Sequence, residues 1–266
     1  MNALDKEMRQ LLQRVSREVI LPRYRNLETS QIADKGQNEL VTIADREAEI
    51  MLTEGVASFE PGLAIVGEEA CDADPEIYSG LSQRCWIIDP IDGTGNFASG
   101  HAPFGILIAL AEGGETRSGW IYDPLEDRFC HAHLGKGAFV DGERVAARTT
   151  GEEPPIAGIS TLFMQEGRRE KVQEHIAPHY TLVDIPRCAA EQYPRLALGT
   201  NDVSLFERTL PWDHAAGVLW LNEAGGKVAR PDGSPYRVDE WERPGLIGAA
   251  SPALWDALAA RMAKLT

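Results

Sequence analysis

The sequence predicts a mixed fold, α/β or α+β, and three observations carry that reading. Apolar residues recur at helical spacing at both ends of the chain. Short apolar runs with strand character fill the stretches between. Both patterns occur on either side of a polar stretch near residue 148, so neither half is all-α or all-β. At 266 residues the chain can form one large domain or two packed subdomains around a sizeable core.

Leu4, Met8, Leu11, Val15 and Val19 stand three or four residues apart with charges between them, which predicts an amphipathic helix ended by Pro22. Residues 32–39 (IADKGQNE) are mostly polar and read as a loop. Leu40–Ala44 leads into a second helix, from Asp45 to Ser58, with Ala48, Met51, Leu52 and Val56 on its buried face. Pro61-Gly62 then breaks the chain. Leu63–Val66, Trp86–Ile88, Phe104–Ala111 and Gly119–Tyr122 read as strands. Residues 135–145 read as a hairpin turning at Asp141-Gly142. Residues 148–155 (RTTGEEPP) have a linker's composition and divide the chain into subdomains 1–148 and 149–266. Beyond them, Ile156–Thr161 and Tyr180–Ile185 read as strands flanking a helix at Met164–His175. A helix starting at Asp213 is stopped by Gly225-Gly226, and Pro252–Leu265 reads as a closing amphipathic helix.

Hydrophobic residues make up 43% of the chain and charged residues 25%. These ordinary globular values exclude disorder, collagen and coiled coil as whole-chain readings. No apolar run approaches the ~20 residues of a membrane span, and the N-terminus lacks the apolar core of a signal peptide. Lys plus Arg number 26 against 41 Asp plus Glu, a formal charge of −15. Such a chain repels a phosphate backbone, so general nucleic-acid binding is not expected. Small phosphorylated molecules remain open, because bound metal inverts the local field. Cys71, Cys85, Cys130 and Cys188 form no CxxC pair and read as reduced, partly buried thiols of a cytoplasmic protein.

Four separated acidic pieces stand out: Asp45 in LVTIAD, Glu68-Glu69 in IVGEEA, Asp89 and Asp92 in WIIDPIDGT, and Asp213 in PWDHAAG. Asp213 precedes a helix and is placed to cap it. In WIIDPIDGT, Trp86–Ile88 is a short buried strand with Asp89 at its end. Pro90 cannot extend a sheet, and the turn brings Asp92 to the side of Asp89. Gly93 lets backbone approach a ligand closely, and Thr94 adds a hydroxyl. Alone, this is also ordinary turn material with a capping aspartate. Convergence of the four pieces would decide the matter, because clustered buried carboxylates need cations. Their donors are all oxygens, which suits Mg²⁺ or Mn²⁺ better than Zn²⁺.

LVTIAD, GEE, WIIDPIDGTGNF and PWDHAAGVLWLNEAGG follow one another between Leu40 and Gly226. By these motifs, their order and their spacing the chain resembles the inositol monophosphatase family of lithium-sensitive, metal-dependent sugar phosphatases. The resemblance implies a layered αβαβα sandwich of two packed subdomains, a homodimer, and two or three Mg²⁺ ions, with Mn²⁺ as a substitute. It implies that Glu68, Asp89 and the Ile91 carbonyl hold one ion, that Asp89, Asp92 and Asp213 hold a second, and that a weaker third sits near Glu68. Thr94, paired with Asp45, would orient the attacking water, which makes Thr94, Asp45 and Glu68 the catalytic set. The Gly93 and Thr94 amides would hold phosphate, and Lys35 would close over it. The implied activity is Mg²⁺-dependent hydrolysis of a small polyol or sugar phosphate by a metal-activated water, without a phosphoenzyme.

The substrate side departs from the inositol-specific pattern. Where those enzymes carry Gly-Ser/Thr-Ala-Ala, this chain has Arg187-Cys188-Ala189-Ala190-Glu191. Glu207 stands one position from the glutamate expected before the Trp-Asp pair, and Gly95 replaces a second threonine. Asp92, Arg187, Ala189 and Glu207 are the candidate substrate contacts. Arg187 or Glu191 would read another leaving group, as in a 3′-phosphoadenosine nucleotide, fructose 1,6-bisphosphate or histidinol phosphate. A regulatory module binding a macromolecular partner is the alternative from another class, and the filled ligand positions argue against it. His131 and His133 alternate on a predicted strand and so can face one side, which allows a metal pair, with surface histidines the commoner reading; His214 is expected to be exposed. His101 is expected at the cleft mouth or in a structural loop.

Overall fold

Two sheets carry the fold, and helices cover and separate them. The structure is a computed structural model that describes residues 1–36 and 39–265, without the side chains of Lys35 and Glu39. Helix α1 (Ala3–Val15) runs on through a π-turn at Ser16–Ile20. Asn2 and Asp5 cap it reciprocally, each side chain accepting from the other's backbone N–H. The predicted loop at 32–39 is instead a hairpin of β1 (Ile32–Gly36) and β2 (Glu39–Thr42), with residues 37 and 38 outside the described part. Ala33 and Asp34 of β1 are exposed, and burial in β2 falls on the adjacent pair Val41 and Thr42, so no alternation marks the ribbon. Helix α2 (Ile43–Phe59) starts before Asp45, because Thr42 and Asp45 form a capping box. Met51 is only half-buried, whereas Ala48, Leu52 and Val56 are fully covered.

The large sheet follows. β3 (Ala64–Gly67) leads into a short helix α3 (Glu68–Ala73), which the sequence did not announce. Then come β4 (Cys85–Asp92), helix α4 (Thr94–Ala98), β5 (Gly105–Glu112), β6 (Glu115–Asp123), β7 (Arg128–His133), β8 (Gly137–Val140) and β9 (Glu143–Val145). Their spatial order is their chain order, with β3 parallel to β4 and every later pair antiparallel. Asp141-Gly142 joins β8 to β9 with φ of 50° and 88°, the left-handed pair that a tight hairpin requires.

The second sheet is built after residue 155 from β10 (Ile156–Ile159), β11 (Thr181–Leu182), β12 (Val203–Phe206), β13 (Lys227–Ala229) and β14 (Leu246–Ala249), in the order β11-β10-β12-β14-β13. Its helices are α5 (Glu166–His175), α6 (Ala189–Ala197), α7 (Pro211–Glu223) and α8 (Pro252–Met262). The strand expected at Tyr180–Ile185 shrinks to two residues at the sheet edge. Helix α6 was missed because Pro194, normally a breaker, lies inside it.

The layers run helix, sheet, helix, sheet, helix, so the fold is αβαβα. Leu12 of α1 and Leu52 and Val56 of α2 pack on the face of the large sheet that carries Trp86, Ile88 and Trp120. Ile87, Leu107 and Ile121 on its other face meet Tyr193 of α6 and Ala215, Ala216 and Leu219 of α7. The second sheet lies beyond α6 and α7, with Val172 of α5 and Trp255 and Leu258 of α8 on its far side. The small stretch Ala215-Ala216-Gly217 lets α7 come close. A Cβ on Gly119 of β6 would lie 2.8 Å from the Ala216 Cα, and one on Gly217 would enter the Tyr193 ring. This contact fixes the height at which the start of α7 meets the end of β4.

Candidate active site

Asp89 and Asp92 stand three residues apart on β4, and a regular strand would point them to opposite faces. The pairing with β5 slips between them: Asp89 pairs with Leu107 and Asp92 with Gly105. One extra residue on β4, a bulge at Pro90-Ile91, returns both carboxylates to one side. The strand therefore runs through Asp92 instead of ending in a turn at Asp89. Asp213 comes from α7, which starts two residues earlier than expected because Pro211 is preset for a first helical position. Asp213 thus lies in the first turn, and Leu210 holds the cap position. Carboxylate oxygens of Asp89, Asp92 and Asp213 lie within 4.8 Å of one another.

Asp89 is 1% exposed, and its Oδ1 has no hydrogen-bond partner. Burial pushes its pKa well above the carboxylate range, and the charges of Glu68, Asp92, Asp213 and Asp45 add to the push. All four acidic pieces of the sequence therefore act on one carboxylate. Asp92 is pushed to about 7 by burial and by Asp213, against the pull of its bond from the Ala190 N–H at 2.6 Å. That N–H belongs to the first turn of α6, so Asp92 also serves the helix terminus. Burial raises Asp213 too, opposed by Arg208 at 4.0 Å. Clustered buried oxygens with an orphaned acceptor at their centre fit a hard divalent cation of the Mg²⁺ class.

Glu68 opens α3 and lines the same cleft. The helix is held in place by Glu49 of α2, a buried residue whose carboxylate accepts from the Glu69 and Ala70 N–H groups at 2.8 Å each. A Cβ at Gly67 would lie 2.5 Å from that carboxylate. Glu49 was not singled out from the sequence, although an acid between Ala48 and Leu52 on a buried helical face was a usable signal.

Asp45 is fully buried. Its Oδ2 accepts from the Thr42 N–H at 2.8 Å and the Thr42 hydroxyl at 2.6 Å. Burial nevertheless raises its pKa to about 6. The Thr94 hydroxyl lies 3.1 Å from Asp45 Oδ1 and 2.9 Å from the Ile91 carbonyl, and its single proton serves one of them at a time. Gly93 precedes α4 with φ of 84°, and a Cβ there would lie 3.0 Å from the Pro103 carbonyl oxygen. Backbone conformation and space both call for glycine.

The cleft has a volume of about 500 Å³ and is also lined by Arg187, Ala189, Glu207, Arg208 and His101. Arg187 is exposed, with φ of 52°. The Glu207 carboxylate accepts from Arg168 at 3.1 Å. The Glu191 carboxylate is held by Arg128 at 2.6 Å and Arg195 at 2.8 Å, which engages both of its oxygens in ion pairs and corrects the thought that it reads a leaving group. The Lys35 side chain lies outside the described residues. Arg208 was missed because nothing in the sequence tells that it turns into the cleft.

The histidines also differ from expectation. His214 is 3% exposed and bonded to the Tyr193 hydroxyl. His131 is buried as well, and with His133 it closes on Asp5 far along the chain. The four cysteines are free and buried, as anticipated. No helix among the described residues is long and apolar enough to cross a membrane.

A profile of the inositol monophosphatase family matches residues 4–265. An inositol-1-monophosphatase of Bacillus subtilis is 37% identical over 203 residues, covering 75% of each chain. A fructose-1,6-bisphosphatase/inositol-1-monophosphatase of Thermotoga maritima is 33% identical over 193 residues, covering 73% of this chain and 72% of the other. The solved structure of an inositol monophosphatase from Thermotoga maritima superimposes with a TM-score of 0.82 at 26% identity, covering 100% of this chain and 98% of that one.

Proposed function

The chain belongs to the inositol monophosphatase family, and from that premise we propose that it is a Mg²⁺-dependent phosphomonoesterase acting on a small polyol or sugar phosphate. The observation that carries this is the group of buried Asp89 and Asp92 with half-buried Asp213, with an unpartnered Asp89 Oδ1, beside the Thr94–Asp45 pair. Glu68, Asp89 and the Ile91 carbonyl would hold one ion, and Asp89, Asp92 and Asp213 a second. Mn²⁺ would substitute. Such ions supply charge neutralisation at the phosphoryl group and acidity to water.

The chain's own groups do the rest. Thr94 donates its hydroxyl proton to Asp45 Oδ1, which turns its lone pairs toward the water that attacks phosphorus. Gly93 and Thr94 present backbone N–H groups to the phosphoryl oxygens. Asp92 and Ala189 border the leaving group, with Arg187 and Glu207 at the outer wall. Residues 1–148 and 149–266 act as two subdomains that close on the cleft, and the protein works as a cytoplasmic homodimer inhibited by Li⁺.

Phosphate release tests this. The panel is inositol 1-phosphate, fructose 1,6-bisphosphate, 3′-phosphoadenosine 5′-phosphate, histidinol phosphate and glycerol 2-phosphate, with Mg²⁺, with EDTA, and with Asp89→Asn. Release from one preferred member, lost in EDTA and in the variant, is expected. No release from any member by folded, Mg²⁺-loaded protein overturns the reading. Activity that persists at saturating Li⁺ removes the lithium extension alone.

A further inference from the structure

The cleft has unlike walls. The large sheet and α3 supply acids: Asp89, Asp92 and Glu68. The second sheet supplies something else. β10 and β12 are parallel neighbours with Ile159 paired to Leu205, so both end at one edge. The chain leaving β10 brings Leu162 and Phe163 to the cleft, the end of β12 brings Phe206, and the segment before α6 brings Ile185 and Pro186. Ligands collect at the carboxyl ends of parallel strands, and here these five side chains are apolar. All five are half-buried, a surface that a bound apolar group would finish covering.

This surface is held in shape. Phe206 stacks on Tyr193 of α6, with ring centroids 5.6 Å apart, and meets His214 of α7 edge-on at 5.0 Å. The Arg208 guanidinium carbon lies 4.1 Å from the ring centroid of Phe163. Side chains already fixed lose little freedom on binding. Two polar side chains of the same wall are turned to protein. Glu207 accepts from Arg168 at 3.1 Å, and the Gln192 amide donates to the Ser204 hydroxyl at 2.7 Å. A site built to read hydroxyls leaves its polar groups bare when they are absent, whereas these two are engaged. The volume of about 500 Å³ falls in the ~300–1,000 Å³ range of clefts that take drug-sized ligands, so a phosphate and a short polyol leave room to spare.

Resting on the phosphatase reading above, we propose that this wall is a subsite for an apolar substituent on the alcohol that carries the phosphate. The preferred substrate is then a polyol or sugar phosphate bearing an alkyl or aryl group remote from the ester. The phosphate lies among the acids, and the substituent lies on Phe163, Ile185 and Phe206. Binding energy from such a remote group raises kcat/KM. An apolar lining that only filled space would not tell this substrate from the bare polyol phosphate.

A matched series separates the two roles. Glycerol 1-phosphate and its 3-O-hexyl and 3-O-phenyl ethers share one phosphate ester, and the added group is too remote to change the acidity of the leaving alcohol. The measurement is kcat and KM for all three with the wild type, Phe163→Ala and Ile185→Thr, with melting temperatures as a check on folding. Ile185→Thr keeps the branched shape, so it tests the subsite even if Phe163→Ala does not fold. The wild type should favour at least one ether over glycerol 1-phosphate by ~10-fold or more in kcat/KM, chiefly through KM, and the ether that responds identifies alkyl or aryl. Each folded variant should raise the KM of that ether by ~3-fold or more beyond any change for glycerol 1-phosphate. A wild type that does not favour either ether, or a preference that every folded variant keeps, overturns the inference while the phosphatase reading stands. Absence of Mg²⁺-dependent release from all three overturns that reading and the inference with it.

Discussion

Asp5 and Asp89 are both aspartates and both 1% exposed, yet their carboxyl groups behave in opposite ways. At Asp5, burial pulls the pKa up, but donors outweigh it. His133 Nε2 at 2.8 Å, the Asn2 N–H at 2.9 Å and the Trp120 indole N–H at 3.0 Å hold it at about 2. At Asp89, burial is joined by four other acids, and the pKa rises far above the usual range. Exposure is the same, Asp89 lies deeper in the protein, and above all the partners differ. A buried acid ringed by N–H groups is a strut, and this one fastens α1 to β6 and β7. A buried acid ringed by acids is a candidate cation site. Asp5, His131 and His133 also lie within 4.8 Å of one another, so ligand-type residues in proximity do not by themselves mark a metal centre. Whether the oxygens already have donors decides it.

The strongest test of this contrast is Asp89→Asn. Turnover should fall by several orders of magnitude, because a ligand is lost. In EDTA the same variant should melt above the wild type by about 2–4 °C, since one like charge has gone. Near-normal turnover, or a lower melting temperature in EDTA, would break the comparison at its catalytic end.

Asp5→Ala should do the reverse. It strands the Trp120 and His133 donors and should cost about 2–3 kcal/mol in urea denaturation, with turnover of the folded protein unchanged. A loss of turnover without a loss of stability would show that Asp5 is not a strut.

A third substitution acts between the two regions. Glu49→Gln weakens the hold on the first turn of α3 and should lower apparent Mg²⁺ affinity about 10-fold through Glu68. A Mg²⁺ titration of activity that matches the wild type would remove Glu49 from this role.

The smallest effect is in pH. Burial lowers His131 to about 4 and His214 to about 3. As pH falls below ~6.5 the unfolded chain takes up these protons first, so the contribution of the two histidines should decline from there toward 4, while the raised carboxyls of Asp45 and Asp92 add stability over the same range in metal-free protein. The Asp5 contribution is present above its unfolded value of ~3.9 and is lost only as pH falls toward 2. His131→Phe keeps an aromatic ring stacked on Phe139, whose centroid is 5.0 Å away, and should flatten part of the first decline. An unchanged pH profile in urea denaturation would count against a buried neutral His131.

The acids that meet in the cleft were legible in the sequence because each piece follows local rules. An apolar run delivers an acid to its end, a glycine admits backbone, and a proline starts a helix. The αβαβα class was legible through the motif resemblance, and the mixture of elements through periodicity. What failed was of another kind. In the β1–β2 hairpin only Val41 and Thr42 at the end of β2 are buried, too few to imprint a period, α3 is too short to show one, and Pro194 disguised α6.

By itself, then, the sequence determined the inventory: which acids stand together, in what order, with which glycines and prolines beside them, and hence the proposal of hard-metal phosphate chemistry. Only the tertiary structure decided how that inventory is used. The β4 bulge puts Asp89 and Asp92 on one side. Arg128 and Arg195 hold Glu191, and Arg168 engages Glu207. Trp120 and His133 claim Asp5 from more than a hundred residues away, and Arg208 stacks on Phe163 in the cleft. The physical reason is range. Periodicity and capping act over a few residues, whereas a charge takes its partner, and so its pKa and its role, from whatever the packed layers bring beside it.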